Sequence, residues 1–108
     1  MLKKENRLKT VLLRNPNTLT SSLFTVKVMA NHEGKNRFAF VVSKRLDKRA
    51  VVRNSLKRKF RGAIEQIFDN IEKSFDFVFY PKQTAIKADK GQVLDELKKS
   101  FSKNNLIK

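Results

Sequence analysis

The stretch Arg37-Phe38-Ala39-Phe40-Val41-Val42-Ser43-Lys44-Arg45-Leu46-Asp47-Lys48-Arg49-Ala50-Val51-Val52-Arg53-Asn54-Ser55-Leu56-Lys57-Arg58-Lys59-Phe60-Arg61 changes its hydrophobic period halfway along. Over 37–43, Phe38, Phe40 and Val42 alternate with Arg37, Ala39, Val41 and Ser43, the period of a half-buried strand. From about Ala50 to Glu72 the apolar positions become Val52, Leu56, Phe60, Ala63/Ile64, Ile67/Phe68 and Ile71, which share one stripe of a helix. Asp47 is the expected N-cap of that helix. Gly62 interrupts it at a cost of about 1 kcal/mol against Ala.

Working outward, residues 19–30 also alternate. Phe24, Val26, Val28 and Ala30 form one face, and Thr25, Lys27 and Met29 the other, which predicts another half-buried strand. Asn15-Pro16-Asn17-Thr18 is a turn signal. The polar loop Asn31–Asn36, with Gly34, is expected to close a hairpin between the two strands. Residues 9–13 are a candidate for a further edge strand. Downstream, Phe75–Tyr80 is an aromatic run ended by Pro81 and reads as a short buried strand. Residues 82–89 are a loop, and Val93, Leu94, Leu97 and Phe101 mark a second amphipathic helix from Lys90 to about Lys103. Strands and helices with one apolar face each pack as an α+β fold, a two-layer α/β sandwich.

A chain of 108 residues with 40% hydrophobic content fits one domain, 1–108, with residues 1–18 as a basic, flexible N-terminal segment. It has no cysteine, which removes disulfides and thiolate metal sites and is compatible with the cytoplasm. No apolar run reaches the roughly 18 residues of a membrane span. The net charge is +15, distributed unevenly: residues 35–61 hold eleven Lys/Arg and one acid, whereas residues 62–108 hold eight Lys and seven acids. Like charges this dense repel unless a polyanion neutralises them, so nucleic acid is the expected partner.

On the helix, Arg53, Lys57 and Arg61 lie at i, i+4 and i+8, with Asn54 and Arg58 in the adjacent row. Each like-charge pair at i,i+4 destabilises an isolated helix by roughly 0.2–0.5 kcal/mol. Basic residues in the first turns also oppose the helix dipole. A helix selected for stability alone would not carry this pattern, so binding is the expected compensation. Arg grips phosphate oxygens in pairs, and Asn adds a neutral donor and acceptor. The blander alternative is a solvated charged face, which usually mixes signs; this one does not.

Candidate catalytic residues are few. His32 is the lone histidine, in a loop with no evident partner, and Glu65, Asp69 and Glu72 follow helical spacing on a solvated face. No catalytic or metal-ligating residue is assigned to the protein.

The run Arg53-Asn54-x-x-Lys57-Arg58-x-x-Arg61, preceded by Val42-Ser43-Lys44-Arg45 and Ala50-Val51-Val52, resembles the signature of the bacterial ribonuclease P protein component. Arg7-Leu8 and Asp76-Phe77-Val78-Phe79-Tyr80 are similar as well, and the likeness covers most of residues 19–103. The resemblance implies a β(3)-α-β-α core of the ribosomal protein S5 domain 2-like kind with a left-handed βαβ crossover. It also implies a noncatalytic subunit of a ribonucleoprotein endoribonuclease, a hydrolase that removes the 5′ leader of precursor tRNA. The RNA does the chemistry with Mg²⁺, and the protein binds no cofactor by itself. Its partners would be ribonuclease P RNA and precursor tRNA, with no membrane and no small-molecule substrate, and it would be a monomer in the holoenzyme.

Carried onto this chain, the catalytic-RNA-binding residues are Lys44, Arg45, Lys48, Arg49, Arg53, Asn54, Lys57, Arg58, Lys59 and Arg61. The leader-binding face is Thr25, Lys27, Met29, Arg37, Ala39, Val41 and Ser43, shallow, mildly apolar and rimmed by cations, as single-stranded RNA requires. The alternative for that face is cover by another part of the chain. Phe38 and Phe40 are expected in the core rather than as stacking platforms. Two features depart from the family. Ser55 stands where a third Arg is common. Thr10–Leu19 lacks the aromatic pattern of the first family helix, which is expected to be shortened or absent. A structural ribosomal protein and a DNA-binding module remain alternative functions on charge and size; the second is disfavoured because Lys and Arg suit phosphates better than base edges.

Overall fold

A computed structural model describes residues 2–9 and 13–107. Four strands, β1 (Asn17–Thr20), β2 (Phe24–Ala30), β3 (Arg37–Phe40) and β4 (Phe75–Pro81), form one sheet in the order β1-β2-β4-β3. Helices α1 (Ala50–Ile67) and α2 (Lys90–Lys103) complete the α+β fold. β4 runs antiparallel to β2 and parallel to β3, so β3-α1-β4 is a βαβ unit.

Alternation and helical spacing meet in a single core. Phe24, Val26, Val28, Phe38, Phe77 and Phe79 from the sheet pack against Leu56, Phe60, Ile64, Val93, Leu97 and Phe101 from the helices. Both helices therefore lie on one face of the sheet. Phe24 meets Phe60 edge-on at 5.8 Å and 88°, and Phe77 stacks on Phe101 at 5.4 Å. Such pairs contribute about 0.5–1.5 kcal/mol beyond the area they bury.

α2 spans the residues its periodicity marks. It starts from a capping box: the Asp89 carboxylate accepts from the Gln92 backbone N–H at 2.8 Å, and Gln92 Oε1 accepts from Asp89 N–H. At Gly62 a Cβ would meet only the end of the Lys90 side chain, its Cε and Nζ at 3.1 Å.

Several expectations are corrected. Residues 19–30 are not one strand, because Ser21–Leu23 turns the chain between β1 and β2. Ser21 Oγ accepts from the N–H of Leu23 and of Phe24 at 3.0 and 3.2 Å, and this local bonding competes with the ladder. The additional strand is thus Asn17–Thr20; Lys9 and Leu13 belong to no strand, and Thr10, Val11 and Leu12 lie outside the described residues.

Loop 31–36 does not close a hairpin. β4 lies between β2 and β3, so the loop bridges two strand spacings, about 10 Å. Asn36 fixes the crossing: its Nδ2 donates to Glu72 O at 2.8 Å, and its Oδ1 accepts from Phe75 N–H at 3.0 Å.

β3 ends at Phe40 rather than Ser43, although Val41 N–H still donates to Phe79 O at 2.9 Å. α1 ends at Ile67, tightens into a 3₁₀ turn over Phe68–Asn70, and leaves Ile71 to bridge Ile107. Asp47 is not the cap. Arg49 holds that position without a side-chain cap, and the Asp47 carboxylate instead binds Arg49. Within the basic N-terminal segment, residues 2–8 lie against the core: Leu2 and Leu8 are buried, Arg7 bridges Phe38, and Leu8 N–H donates to Phe38 O at 2.8 Å along the edge of β3. No helix among the described residues is long and apolar enough to cross a membrane.

Candidate nucleic-acid interface

The apolar stripe of α1 fixes what the helix presents to solvent. Leu56, Phe60, Ala63, Ile64 and Ile67 are buried. At 3.6 residues per turn, Asn54, Lys57, Arg58 and Arg61 fall within an arc of about 100° that adjoins one flank of that stripe. Asn54 and Arg58 are exposed, while Lys57 and Arg61 are half-buried on the flank nearest β3. Lys44, Arg45 and Lys48, on the loop that leads into α1, are exposed too. The side chains of Lys44, Arg45, Lys48, Lys57 and Arg58 make no hydrogen bond or ion pair with any described residue.

Three other residues assigned to this set from sequence are occupied within the protein. Arg49 binds Asp47 through two side-chain bonds, 3.1 and 2.9 Å. The Arg49 side chain, then its backbone N–H, hold the Asp47 carboxyl down at about 2, and Asp47 in turn raises Arg49. Arg53 donates to the carbonyls of Asp47 and Lys48 at 3.0 and 2.8 Å, pinning the loop to the first turn. Lys59 lies about 200° around the helix from Lys57. Its ammonium donates to the carbonyls of Ala85, Ile86 and Ala88 at 2.9, 3.2 and 2.6 Å. Lys59 therefore joins α1 to the segment before α2 and does not belong to the ridge.

Arg61 is oriented by an aromatic ring. Its guanidinium carbon lies 5.9 Å from the centroid of Phe40, which stacks on Phe79 at 5.6 Å. Phe38 is buried and stacks on Phe77 at 5.0 Å, as a core residue. Beside Arg61, a cavity of about 330 Å³ is lined by Arg7, Phe40 and Lys57 among others. Arg7 thus extends the cationic ridge across fifty residues of sequence; only its bridge to Phe38 reveals this, and no local pattern could.

The opposite sheet face is differently populated than expected. Thr25, Lys27 and Met29 on β2 and Ala39 on β3 are half-buried. The register puts Val78 between Lys27 and Ala39, Tyr80 opposite Thr25, and Asp76 between Met29 and Arg37. Thr18 and Thr20 of β1 pair with Lys27 and Thr25 and share their face. Sequence reasoning missed this row because Phe75–Tyr80 read as a uniformly buried strand. Its own alternation, with Phe75, Phe77 and Phe79 against Asp76, Val78 and Tyr80, was the available signal.

Arg37 is corrected on this face. Buried Asp76 takes its guanidinium in two bonds of 2.8 and 2.9 Å and also accepts from Asn31 Nδ2 at 2.8 Å. The pair raises the Arg37 pKa and neutralises its charge. Val41 and Ser43 lie beyond the end of β3, though Val41 N–H still pairs with Phe79 O of β4. Lys27 remains available, its ammonium 5.4 Å from the Tyr80 ring centroid. His32 is exposed in its loop.

A family model described as Ribonuclease P matches residues 1–105 of this chain. A ribonuclease P protein component from Microcystis aeruginosa is 35% identical over 74 residues, 68% of this chain and 62% of its own length. One from Cyanothece sp. is 32% identical over 66% of this chain and 54% of its own length, so the chain spans little more than half of these cyanobacterial relatives. One from Bacillus cereus is 28% identical over 93% of this chain and 83% of its own length. Among solved structures, an RNase P protein from Thermotoga maritima superposes with a TM-score of 0.70 at 26% identity, covering 77% of this chain and 78% of that one. A Staphylococcus aureus RNase P protein mutant superposes with a TM-score of 0.81 at 22% identity over 96% of this chain and 92% of that one, a likeness of fold.

Proposed function

The chain belongs to the ribonuclease P protein family, and from that premise we propose that it is the noncatalytic protein subunit of a ribonuclease P that removes the 5′ leader from precursor tRNA. The observation that carries the proposal is the run of uncompensated cations along one side of α1 and its entry loop. Lys44, Arg45, Lys48, Lys57, Arg58 and Arg61 would neutralise phosphates of ribonuclease P RNA, with counterion release supplying most of the affinity. Asn54 would add a neutral hydrogen bond to the same backbone.

Hydrolysis would be carried out by the RNA with Mg²⁺ that the RNA holds. The protein's part would be to orient its partners. Thr18, Thr20, Thr25, Lys27 and Tyr80 would take the single-stranded leader, the hydroxyls bonding its sugar–phosphate chain and Tyr80 offering one base a ring to stack on. The subunit would work in the cytoplasm, one copy per holoenzyme.

The test is reconstitution with a bacterial ribonuclease P RNA and a precursor tRNA at low Mg²⁺. The expected result is stimulated cleavage at the mature 5′ end. A folded protein that gives no stimulation would remove the proposal. Co-sedimentation with ribosomal subunits instead would favour a structural ribosomal protein.

A further inference from the structure

Val51 is the one large hydrophobic side chain exposed among the described residues, with 75% of its surface open to solvent. It stands on α1 among Lys48, Asn54 and Arg58, all exposed. A β-branched residue on an exposed helix face packs on nothing and lowers helix propensity relative to Ala, so it adds nothing to folding.

Beside it lies a shallow cavity of about 330 Å³ lined by Val51, Val52, Ser55, Leu56, Lys59 and Ile86. That volume is at the small end of ligand sites. The floor is apolar for a definite reason. The Lys59 ammonium is drawn away to the carbonyls of Ala85, Ile86 and Ala88, which leaves its methylene stem as wall. Ser55, one turn from both Val51 and Lys59, has too short a side chain to cover the opening.

We propose that this cavity receives a single unpaired nucleobase of the RNA held by the ridge. The inference rests on the RNA-binding reading above and deepens it. Charge complementarity selects the occupant: the cavity is apolar, but the exposed cations near Val51, Lys48 and Arg58, attract a polyanion. A base swung out of a helix offers an apolar face attached to phosphates, which satisfies both parts at once. Ser55 is then a specificity-determining position, since a longer side chain there would close the cavity.

The test uses the full chain and two RNA hairpins that differ only by one bulged nucleotide, with affinities read by fluorescence anisotropy and folding checked by circular dichroism. The protein is expected to prefer the bulged hairpin by about tenfold, the worth of about two buried methyl groups. Val51→Ala should erase that preference without altering the salt dependence. Ser55→Arg should also erase it while tightening binding to both hairpins, because it adds a cation. Equal affinity of the unmodified protein for both hairpins overturns this inference and leaves the ridge intact, as does a preference that survives both substitutions. Failure to bind either hairpin in a salt-dependent way would remove the RNA-binding reading and this inference with it.

Discussion

Replacing Lys59 by Met separates folding from binding within one helix. The stem length is kept, so the wall beside Ile86 survives, but three hydrogen bonds from one ammonium disappear. A hydrogen bond involving a charged group contributes about 1.5–3 kcal/mol, and a buried acceptor left unpaired costs about 1–3 kcal/mol. Ala85 is fully buried and Ala88 nearly so, whereas Ile86 is half-buried and water can reach its carbonyl. One strong bond lost in full and partial rescue of the others give about 2–4 kcal/mol. For a domain whose total stability is about 5–15 kcal/mol, that is a large fraction. It corresponds to a fall in Tm of roughly 8–20 °C at this chain length. Urea unfolding followed by circular dichroism should show a lower midpoint with an unchanged m-value. The folded variant should keep the salt dependence of RNA binding. A loss below about 0.5 kcal/mol, the usual range of an exposed substitution, would refute the assignment of Lys59 to structure.

The Arg37–Asp76 pair makes a second prediction. Arg37→Ala strands a buried carboxylate and should destabilise by about 3 kcal/mol, whereas Arg37→Met with Asp76→Asn should restore at least half of that in the same unfolding assay; a double variant less stable than the single one would contradict it. Asp47 makes a third. Its folded pKa, about 2, lies below the unfolded value of about 3.9, so its contribution to the loop is complete above about pH 4 and fades as pH falls through 2. Carboxyl carbon NMR shifts should titrate with a midpoint near 2, and a midpoint near 4 would show that Arg49 does not hold it in solution.

The parts of this molecule that repeat locally were legible in its sequence. Val93, Leu97 and Phe101 set the bounds of α2, and Leu56, Phe60 and Ile64 set the buried side of α1, because each needs only the helical period. Long-range placement was hidden. Nothing in Phe75–Tyr80 tells that it inserts between β2 and β3, and the loop after β2 resembles any hairpin turn. The candidate site shows the same division. Lys57 and Lys59 look equivalent in sequence, but the second finds carbonyls supplied 26 to 29 residues later. Arg37 looks as free as Lys27 until Asp76 arrives from 39 residues away. The turn at Ser21-Ser22 carried a local signal, masked by the apolar alternation on either side.

The central claim is that the exposed side of α1 grips RNA backbone by charge. Its most direct measurement is the salt dependence of binding to ribonuclease P RNA for Lys57→Ala with Arg58→Ala, set against Lys98→Ala with Lys99→Ala on α2, which removes the same charge elsewhere. The first pair should lower the slope of log affinity against log salt by about 1.4–1.8, two phosphate contacts at about 0.7–0.9 each, and the second pair should leave it nearly unchanged. Equal losses from both pairs, or none from the first, would contradict the claim.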